Sequence, residues 1–361
     1  MFGSRRLSLG IDIGFHSIKV VEVENGVKGP IIRSAALSET LADSSPESVN
    51  KALSDLLERK DFRAKRTATT IQVSYEGSAT ARRIFIENLT ADVKNEELKE
   101  RVQWEAITRD YIPFPAEEAH IDCHIIGEAT QENVSGLWVF FIAVRKNILK
   151  ERAQLLKSLG LIPTVIEIDI TASLGFLDYM GMFPAEEDIV LLDIGASKTS
   201  ICVINRRQLA FYREIPVAGN HITSQIERRL RIKREEAESF KFTEDLFEKI
   251  SDSMGDIWRA VSPIESVIEE RQGLYPLILE CFRYYEGDVA NAKLTKVLFI
   301  GGTSLLNNLD NFLSHRLAIP VEHVTFLDRM SIADDADLSE IEGKEPVFVT
   351  AMGLALRSFR T

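Results

Sequence analysis

Two stretches of this 361-residue chain hold the residue types that bind an anion beside a divalent cation. Leu9-Gly10-Ile11-Asp12-Ile13-Gly14 runs through Phe15-His16-Ser17 into Ile18-Lys19-Val20-Val21-Glu22-Val23. Half the chain later, Val190-Leu191-Leu192-Asp193-Ile194-Gly195 runs through Ala196-Ser197-Lys198 into Thr199-Ser200-Ile201-Cys202-Val203-Ile204. A tight Asp-x-Gly turn between strands aims its backbone N–H groups one way, forming a nest for anionic oxygens, and glycine removes the Cβ from the anion's path. Two such turns facing each other grip a polyphosphate from both sides. Asp12 and Asp193 then share a Mg²⁺ through waters, because magnesium keeps much of its hydration shell. Ser17, Ser197 and Thr199 offer hydroxyls, and Lys19 and Lys198 offer compact positive charge. A third glycine signal follows the strand pattern Lys296–Ile300, as Gly301-Gly302-Thr303-Ser304, and brings backbone and a helix N-terminus close to a nucleotide. Neither Gly-x-x-x-x-Gly-Lys-Ser/Thr nor Gly-x-Gly-x-x-Gly occurs, which disfavours P-loop and dinucleotide-binding folds.

The elements around these motifs alternate between strand and helix patterns, so each half reads as an α/β layer. Each Asp-Ile-Gly copy reads as a β-hairpin. A pattern seen twice at this spacing predicts a duplicated, two-lobed domain rather than a solenoid. In the first half a strand over Pro30–Leu37 precedes a helix capped by Ser45 with Pro46 in its first turn, burying Val49, Leu53, Leu56 and Leu57. Strands at Ala68–Ser74 and Thr164–Ile168 and a helix at Asn147–Leu159 complete it. The stretch from about Arg82 to Gly160 reads as an inserted small domain, with strands at Ala81–Glu87, Ala119–Gly127 and Leu137–Val144 and a helix near Asp92–Ile107. Its loop Tyr111-Ile112-Pro113-Phe114-Pro115 is held extended by prolines, with Phe114 either presented or plugged into the core. The second half carries a mostly helical insertion from Ile226 to Tyr285. The acidic run Asp334-Asp335-Ala336-Asp337, with Glu340, Glu342 and Glu345, reads as a solvated loop. The domain expectation is therefore 1–80 with 161–187 as the first lobe and 81–160 as its insertion. The second lobe is 188–225 with 290–361, and 226–289 is its helical insertion.

With 55 acidic against 43 basic side chains, the formal charge of −12 argues against nucleic acid as a partner, since that needs a basic surface. The three cysteines, Cys123, Cys202 and Cys281, have no zinc spacing and read as buried reduced thiols of a cytoplasmic protein. No signal peptide precedes the first strand pattern, and no run of 18 apolar residues spans a membrane.

The order Asp-Ile-Gly hairpin, second Asp-Ile-Gly hairpin and Gly-Gly-Thr turn resembles the actin, heat-shock chaperone and sugar kinase ATPase superfamily, whose fold is a duplicated, ribonuclease H-like α/β unit. More narrowly the chain is similar to the PilM family of type IV pilus assembly and its relative FtsA. The residues that carry this are Leu9–Glu22, Ile112-Pro113-Phe114-Pro115 with Glu117-Glu118, Asp193–Ser200 and Ile215–Thr223. Glu235–Glu238, Phe299–Thr303 and Gly353-Leu354-Ala355-Leu356-Arg357 continue it. The resemblance implies ATP or ADP with Mg²⁺. Asp12, Gly14, Ser17 and Lys19 form the first phosphate loop, and Asp193, Gly195, Ser197, Lys198 and Thr199 the second, joined by Gly219 and Asn220. Gly301, Gly302 and Thr303 line the adenosine side. Glu238 and Lys241 stand near the ribose, where the competing reading is a surface ion pair. Phe15-His16 depart from the small hydroxyl residues usual there, and His16 reads as a loop histidine near phosphate rather than an acid–base group.

Hydrolysis needs a group that orients water. Asp169 matches that position, with Glu167 as the fallback, and the shorter Asp169 side chain predicts slow or absent turnover. The implied partner is the cytoplasmic N-terminal tail of a bitopic inner-membrane protein of PilN type, bound in a groove by the small domain, with self-association as a further contact. That places the chain in the cytoplasm, peripheral to the inner membrane through its partner. Type II secretion proteins of the GspL kind share the actin-like portion, so the chain reads as complete or as part of a longer fusion. The alternatives are an FtsA-like division tether, which needs a terminal amphipathic helix where Phe348–Arg360 reads as core, and a small-molecule kinase.

Overall fold

A computed structural model describes residues 7–39, 45–72, 77–244, 246–247, 273–289, 292–357 and 359. Three sheets organise it. The first has the order β14-β3-β2-β1-β4-β8, where β1 is Leu7–Ile13, β2 Ser17–Gly26, β3 Gly29–Glu39, β4 Arg66–Ile71, β8 Ile162–Ile168 and β14 Ser331–Asp337. The second has the order β11-β10-β9-β12-β13, where β9 is Asp188–Ile194, β10 Thr199–Asn205, β11 Gln208–Ile215, β12 Leu294–Ile300 and β13 Val321–His323. In both, an antiparallel three-strand meander continues into two parallel strands, so β9 to β13 repeat the pattern of β1, β2, β3, β4 and β8. The central strands β1 and β9 are apolar and buried on both faces, as strands covered by helices must be.

The helix α1 (Pro46–Arg59) begins as its sequence requires, with Ser45 Oγ accepting from Ser48 N at 3.2 Å, and buries Val49, Leu53 and Leu56 against β1 and β2. The inserted unit is a β5-β7-β6 sheet of Ala79–Glu87, Val134–Arg145 and Ala119–Gln131, crossed by α2 (Asn95–Thr108). Phe114 plugs its core at 8% exposure, with the Arg145 guanidinium 4.7 Å above its ring. The helix α3 (Lys146–Ser158) leads back to β8, and α4 (Asp169–Tyr179) follows it directly. In the second half α5 (Gly219–Leu230), α6 (Arg234–Thr243) and α7 (Leu274–Asp288) pack over the second sheet, with α8 (Leu309–Leu317) beside β13. The remainder of the expected helical insertion, 248–272, lies outside the described residues, as does the end of the strand expected to reach Ser74.

Three expectations are corrected. The acidic run is solvated as expected but is not a loop: β14 adds to the edge of the first sheet, where Arg33 holds Asp335 at 2.8 Å, Lys60 holds Asp337, and Arg59 and Lys60 hold Glu340 at 3.0 and 3.2 Å. Neither β14 nor the last helix, α9 (Glu345–Arg357), stays with the second sheet. The helix α9 is buried against α4, β1 and β2, and a Cβ at Gly353 would lie 1.9 Å from the Ala172 carbonyl of α4, so only glycine permits this contact. Cys123 is half-buried, whereas Cys202 and Cys281 are buried, and all three are free thiols.

Candidate functional site

The two Asp-Ile-Gly turns have one backbone design. Gly14 N donates to Ser17 O and Gly195 N donates to Lys198 O, each at 3.0 Å. They face a common cavity of about 100 Å³ lined by Asp12, Gly14, Phe15, His16, Ser17, Lys19, Asp169, Asp193, Gly195, Ser197, Lys198, Glu238, Lys241, Gly301, Gly302 and Thr303. In the first turn Asp12 lies opposite Lys19 across the β1–β2 register, and Lys19 Nζ donates to its Oδ2 at 3.2 Å. Thr70 Oγ1 at 3.1 Å and Gln72 Nε2 at 3.4 Å, both from the β4 end, donate to Asp12 Oδ1. Sequence reading did not single out Thr70 or Gln72; their position at the end of a central parallel strand is the signal.

In the second turn Asp193 lies opposite Ser200, with no cation across the strand. Burial, with Asp169 nearby, pushes its carboxyl up to about 7, against the pull of Lys198. Gly301 has φ +92°, and a Cβ there would lie 2.4 Å from Asp193 Oδ1, so this turn passes the carboxylate as only glycine can. Lys198 reaches across the cleft to Asp169 Oδ2 at 2.9 Å and also holds Glu214 of β11. Burial works against its charge, but Asp169 and Glu214 outweigh that and hold its pKa above the ordinary lysine range.

Several expected residues occupy other places. Thr199 is fully buried and donates to Val217 O at 2.7 Å, so its hydroxyl does not face the cleft. Gly219 and Asn220 support the second turn from behind: their amides donate to Gly195 O at 3.1 Å and Ala196 O at 2.7 Å, and Asn220 Nδ2 donates to Ser197 Oγ at 3.2 Å. Thr303 Oγ1 donates to Gly195 O at 2.6 Å. Glu238 and Lys241 are no surface pair. Lys241 is buried and donates to Glu238 Oε1 at 2.7 Å and Thr223 Oγ1 at 3.0 Å, and burial lowers its pKa.

Asp169 Oδ1 also accepts from Ile170 N at 2.9 Å, which fixes the carboxylate at the start of α4. Glu167 faces away from this cleft. It lines a second cavity of about 560 Å³ between the small sheet, the β8–α4 junction and the β10–β11 turn. There Thr171 Oγ1 donates to its Oε2 at 3.1 Å, its buried Oε1 has no hydrogen-bond partner, and burial raises its pKa.

Among the described residues no three His, Cys, Asp or Glu side chains stand close enough to hold a metal directly. Asp12 and Asp193 on one cleft still suit a divalent cation held through waters, whose charge would offset the burial that pushes Asp193 towards the neutral form.

Two repeated sheets, each offering a hairpin turn to one cleft, define the actin-like ATPase fold. The chain belongs to the type IV pilus assembly protein PilM family, whose pattern matches residues 10–359. The solved PilM–PilN type IV pilus biogenesis complex is similar at 25% identity and a TM-score of 0.77, covering 97% of this chain and 98% of that one. Ethanolamine utilization protein EutJ from Carboxydothermus hydrogenoformans is 17% identical with a TM-score of 0.53, covering 97% of this chain and 89% of that one. A diol dehydratase-reactivating factor in nucleotide free form is 12% identical with a TM-score of 0.54, covering 99% and 100%. These last two share the fold alone. The chain is thus an actin-like protein of type IV pilus assembly, and none of its described helices is long and apolar enough to cross a membrane.

Proposed function

We propose that this chain is an ATP-binding scaffold of the pilus platform whose lobes close on Mg-ATP or Mg-ADP and whose groove holds the cytoplasmic tail of a PilN-type membrane partner. The observation that carries the nucleotide reading is the convergence of two identically built turns, Asp12–Ser17 and Asp193–Lys198, with the Gly301 turn on one cleft. Backbone amides at the turns, Ser17, Ser197 and Lys19 hold the phosphates, and Asp12 and Asp193 hold hydrated Mg²⁺. The ion supplies positive charge to the phosphates. Gly301, Gly302 and Thr303 line the adenosine side, with Glu238 and Lys241 beside the ribose.

The cavity of about 100 Å³ is well below the roughly 300–1,000 Å³ of ordinary ligand pockets, so nucleotide entry requires the lobes to part. Their parting stretches the Lys198–Asp169 bridge, the charge contact that crosses the cleft. Asp169 is the group placed to orient water, yet it is tied to Lys198 and to its own helix, which supports slow turnover. A ligand shifts lobe closure only by its differential affinity for the two states, and closure then biases the partner groove.

The partner reading rests on the larger cavity beside the small domain and on the PilM–PilN complex among the similar structures. Peripheral membrane placement follows from that partner. Pull-down of the chain from detergent-solubilised membranes with and without Mg-ATP tests both halves. Recovery of a PilN-type protein in nucleotide-dependent yield is expected. Recovery of division proteins instead, or ATP hydrolysis faster than about 1 s⁻¹, contradicts the scaffold.

A further inference from the structure

Phe242 is a large apolar side chain left on the lip of the nucleotide cleft. It stands in the last turn of α6, one residue past Lys241, and is 37% exposed. It lines the cleft with Gly302, yet among the described residues it joins no apolar cluster, whereas Phe240 and Phe247 pack on the second core. Asn307 Nδ2 donates to the Phe242 carbonyl at 3.3 Å, which ties this turn of α6 to the segment that follows Gly301–Thr303. Lys241 Nζ lies 4.9 Å from the ring centroid, so a cation takes one side of the ring and leaves the other. An apolar ring held in water gains free energy when a ligand covers it.

The surroundings decide which ligand that is. An aromatic face carries negative charge density, so it repels phosphate and attracts another flat ring. The phosphate-type turns lie at Gly14 and Gly195, and the other rings on the cleft, Phe15 and His16, belong to the first of them. A Cβ on Gly302 would meet nothing within 4 Å, so there is open space beside that residue. The polar side chains on this side are already bonded within the protein. Thr303 Oγ1 donates to Gly195 O at 2.6 Å, and Glu238 accepts from Lys241 at 2.7 Å and from Thr223 at 2.5 Å. This side therefore offers a ligand a ring face, with its polar side chains committed.

We propose that Phe242 is the platform on which the nucleotide base stacks, so that the cleft holds a purine by its face without reading its edge. This rests on the reading that the cleft takes a nucleotide. Stacking on an aromatic ring tolerates any base, because every base has a π-face. Strong discrimination arises where the wrong ligand leaves a site's buried polar groups unpaired, and here those side chains are paired before any base arrives. ATP and GTP therefore bind alike.

The test is calorimetric titration of Mg-ATP, Mg-GTP and Mg-tripolyphosphate into the full chain, Phe242→Ala and Phe242→Trp. On the wild type, ATP and GTP are expected to agree within about tenfold. Phe242→Ala is expected to weaken both by about fivefold to 150-fold, the span of base stacking on one ring. Tripolyphosphate affinity stays unchanged, which also shows that the variant is folded, and Phe242→Trp keeps both nucleotides. Wild-type ATP affinity in Phe242→Ala, or an equal loss of tripolyphosphate, overturns the platform. A wild-type preference between ATP and GTP above about tenfold overturns recognition by the face alone. If the wild type binds neither nucleotide nor tripolyphosphate, the nucleotide reading fails and the assignment with it, a result distinct from nucleotide binding that ignores Phe242.

Discussion

The two phosphate-type turns share a backbone and differ in what their lysines do. Lys19 sits in strand β2, directly across from Asp12, and neutralises a carboxylate of its own lobe. Thr70 and Gln72 also bond that carboxylate, so the first turn is set without help from the other lobe. In the second turn Ser200 takes the strand position that Lys19 occupies, and the lysine moves to the turn as Lys198. From there it leaves Asp193 and holds Asp169 across the cleft, together with Glu214. Cross-strand neighbours interact by register alone, whereas a residue at a turn tip chooses its partner from whatever faces it. One lobe thus carries a fixed half-site, and the other carries a half-site whose charge depends on how the lobes meet.

That contrast is open to breakage, and the largest effect belongs to the second turn. Lys198→Met strands two buried carboxylates and is expected to cost about 3–5 kcal/mol, the range for breaking a buried pair. Lys19→Met strands only Asp12, which keeps two neutral donors, and is expected to cost about 1–3 kcal/mol. Denaturant unfolding of both variants measures the difference, and an equal or reversed order would remove the distinction between the turns. A smaller effect follows from cutting only the cross-lobe arm. Asp169→Asn leaves Lys198 with Glu214, and Mg-ATP affinity is expected to rise up to about tenfold, equivalent to 1.4 kcal/mol, while any turnover falls. Equilibrium titration and a phosphate-release assay read the two together, and weaker binding would show that the bridge does not oppose nucleotide entry.

The smallest effect lies away from the cleft, on the strand that carries the chain back to the first sheet. The hydrogen bond from Lys60 holds the Asp337 carboxyl at about 2, below its ordinary 3.8. A depressed carboxylate contributes stability that is present above the unfolded value and lost as pH falls through the folded one. Asp337→Asn is therefore expected to lower the melting temperature slightly above pH 4 and to match the wild type only below about pH 2. The Asp337 side chain is half exposed, so the effect is small. A pH-independent difference would assign it to packing instead.

Much of this was legible in the sequence because it is local. Each hairpin, the Ser45–Pro46 helix start and the individual strands of the small sheet follow from local patterns. What was not legible depends on distant partners. Asp334–Asp337 looks like a loop until β3, Arg33 and Lys60 are brought to it from the first half of the chain. Lys198 looks like a phosphate ligand until Asp169 faces it. Glu167 and Asp169 are two residues apart and would share a strand face, but α4 begins at Asp169 and turns the chain, so the two carboxylates serve opposite cavities. Thr199 reads as a third hydroxyl of its loop, yet the pleat of β10 directs it to Val217.

The central claim is that both turns hold one nucleotide, and calorimetric titration of Mg-ATP into the wild type, Asp12→Asn and Asp193→Asn tests it most directly. One site per chain is expected, weakened by about tenfold or more in each variant, as for loss of a charged contact. No binding by the wild type, or undiminished binding by both variants, would contradict it.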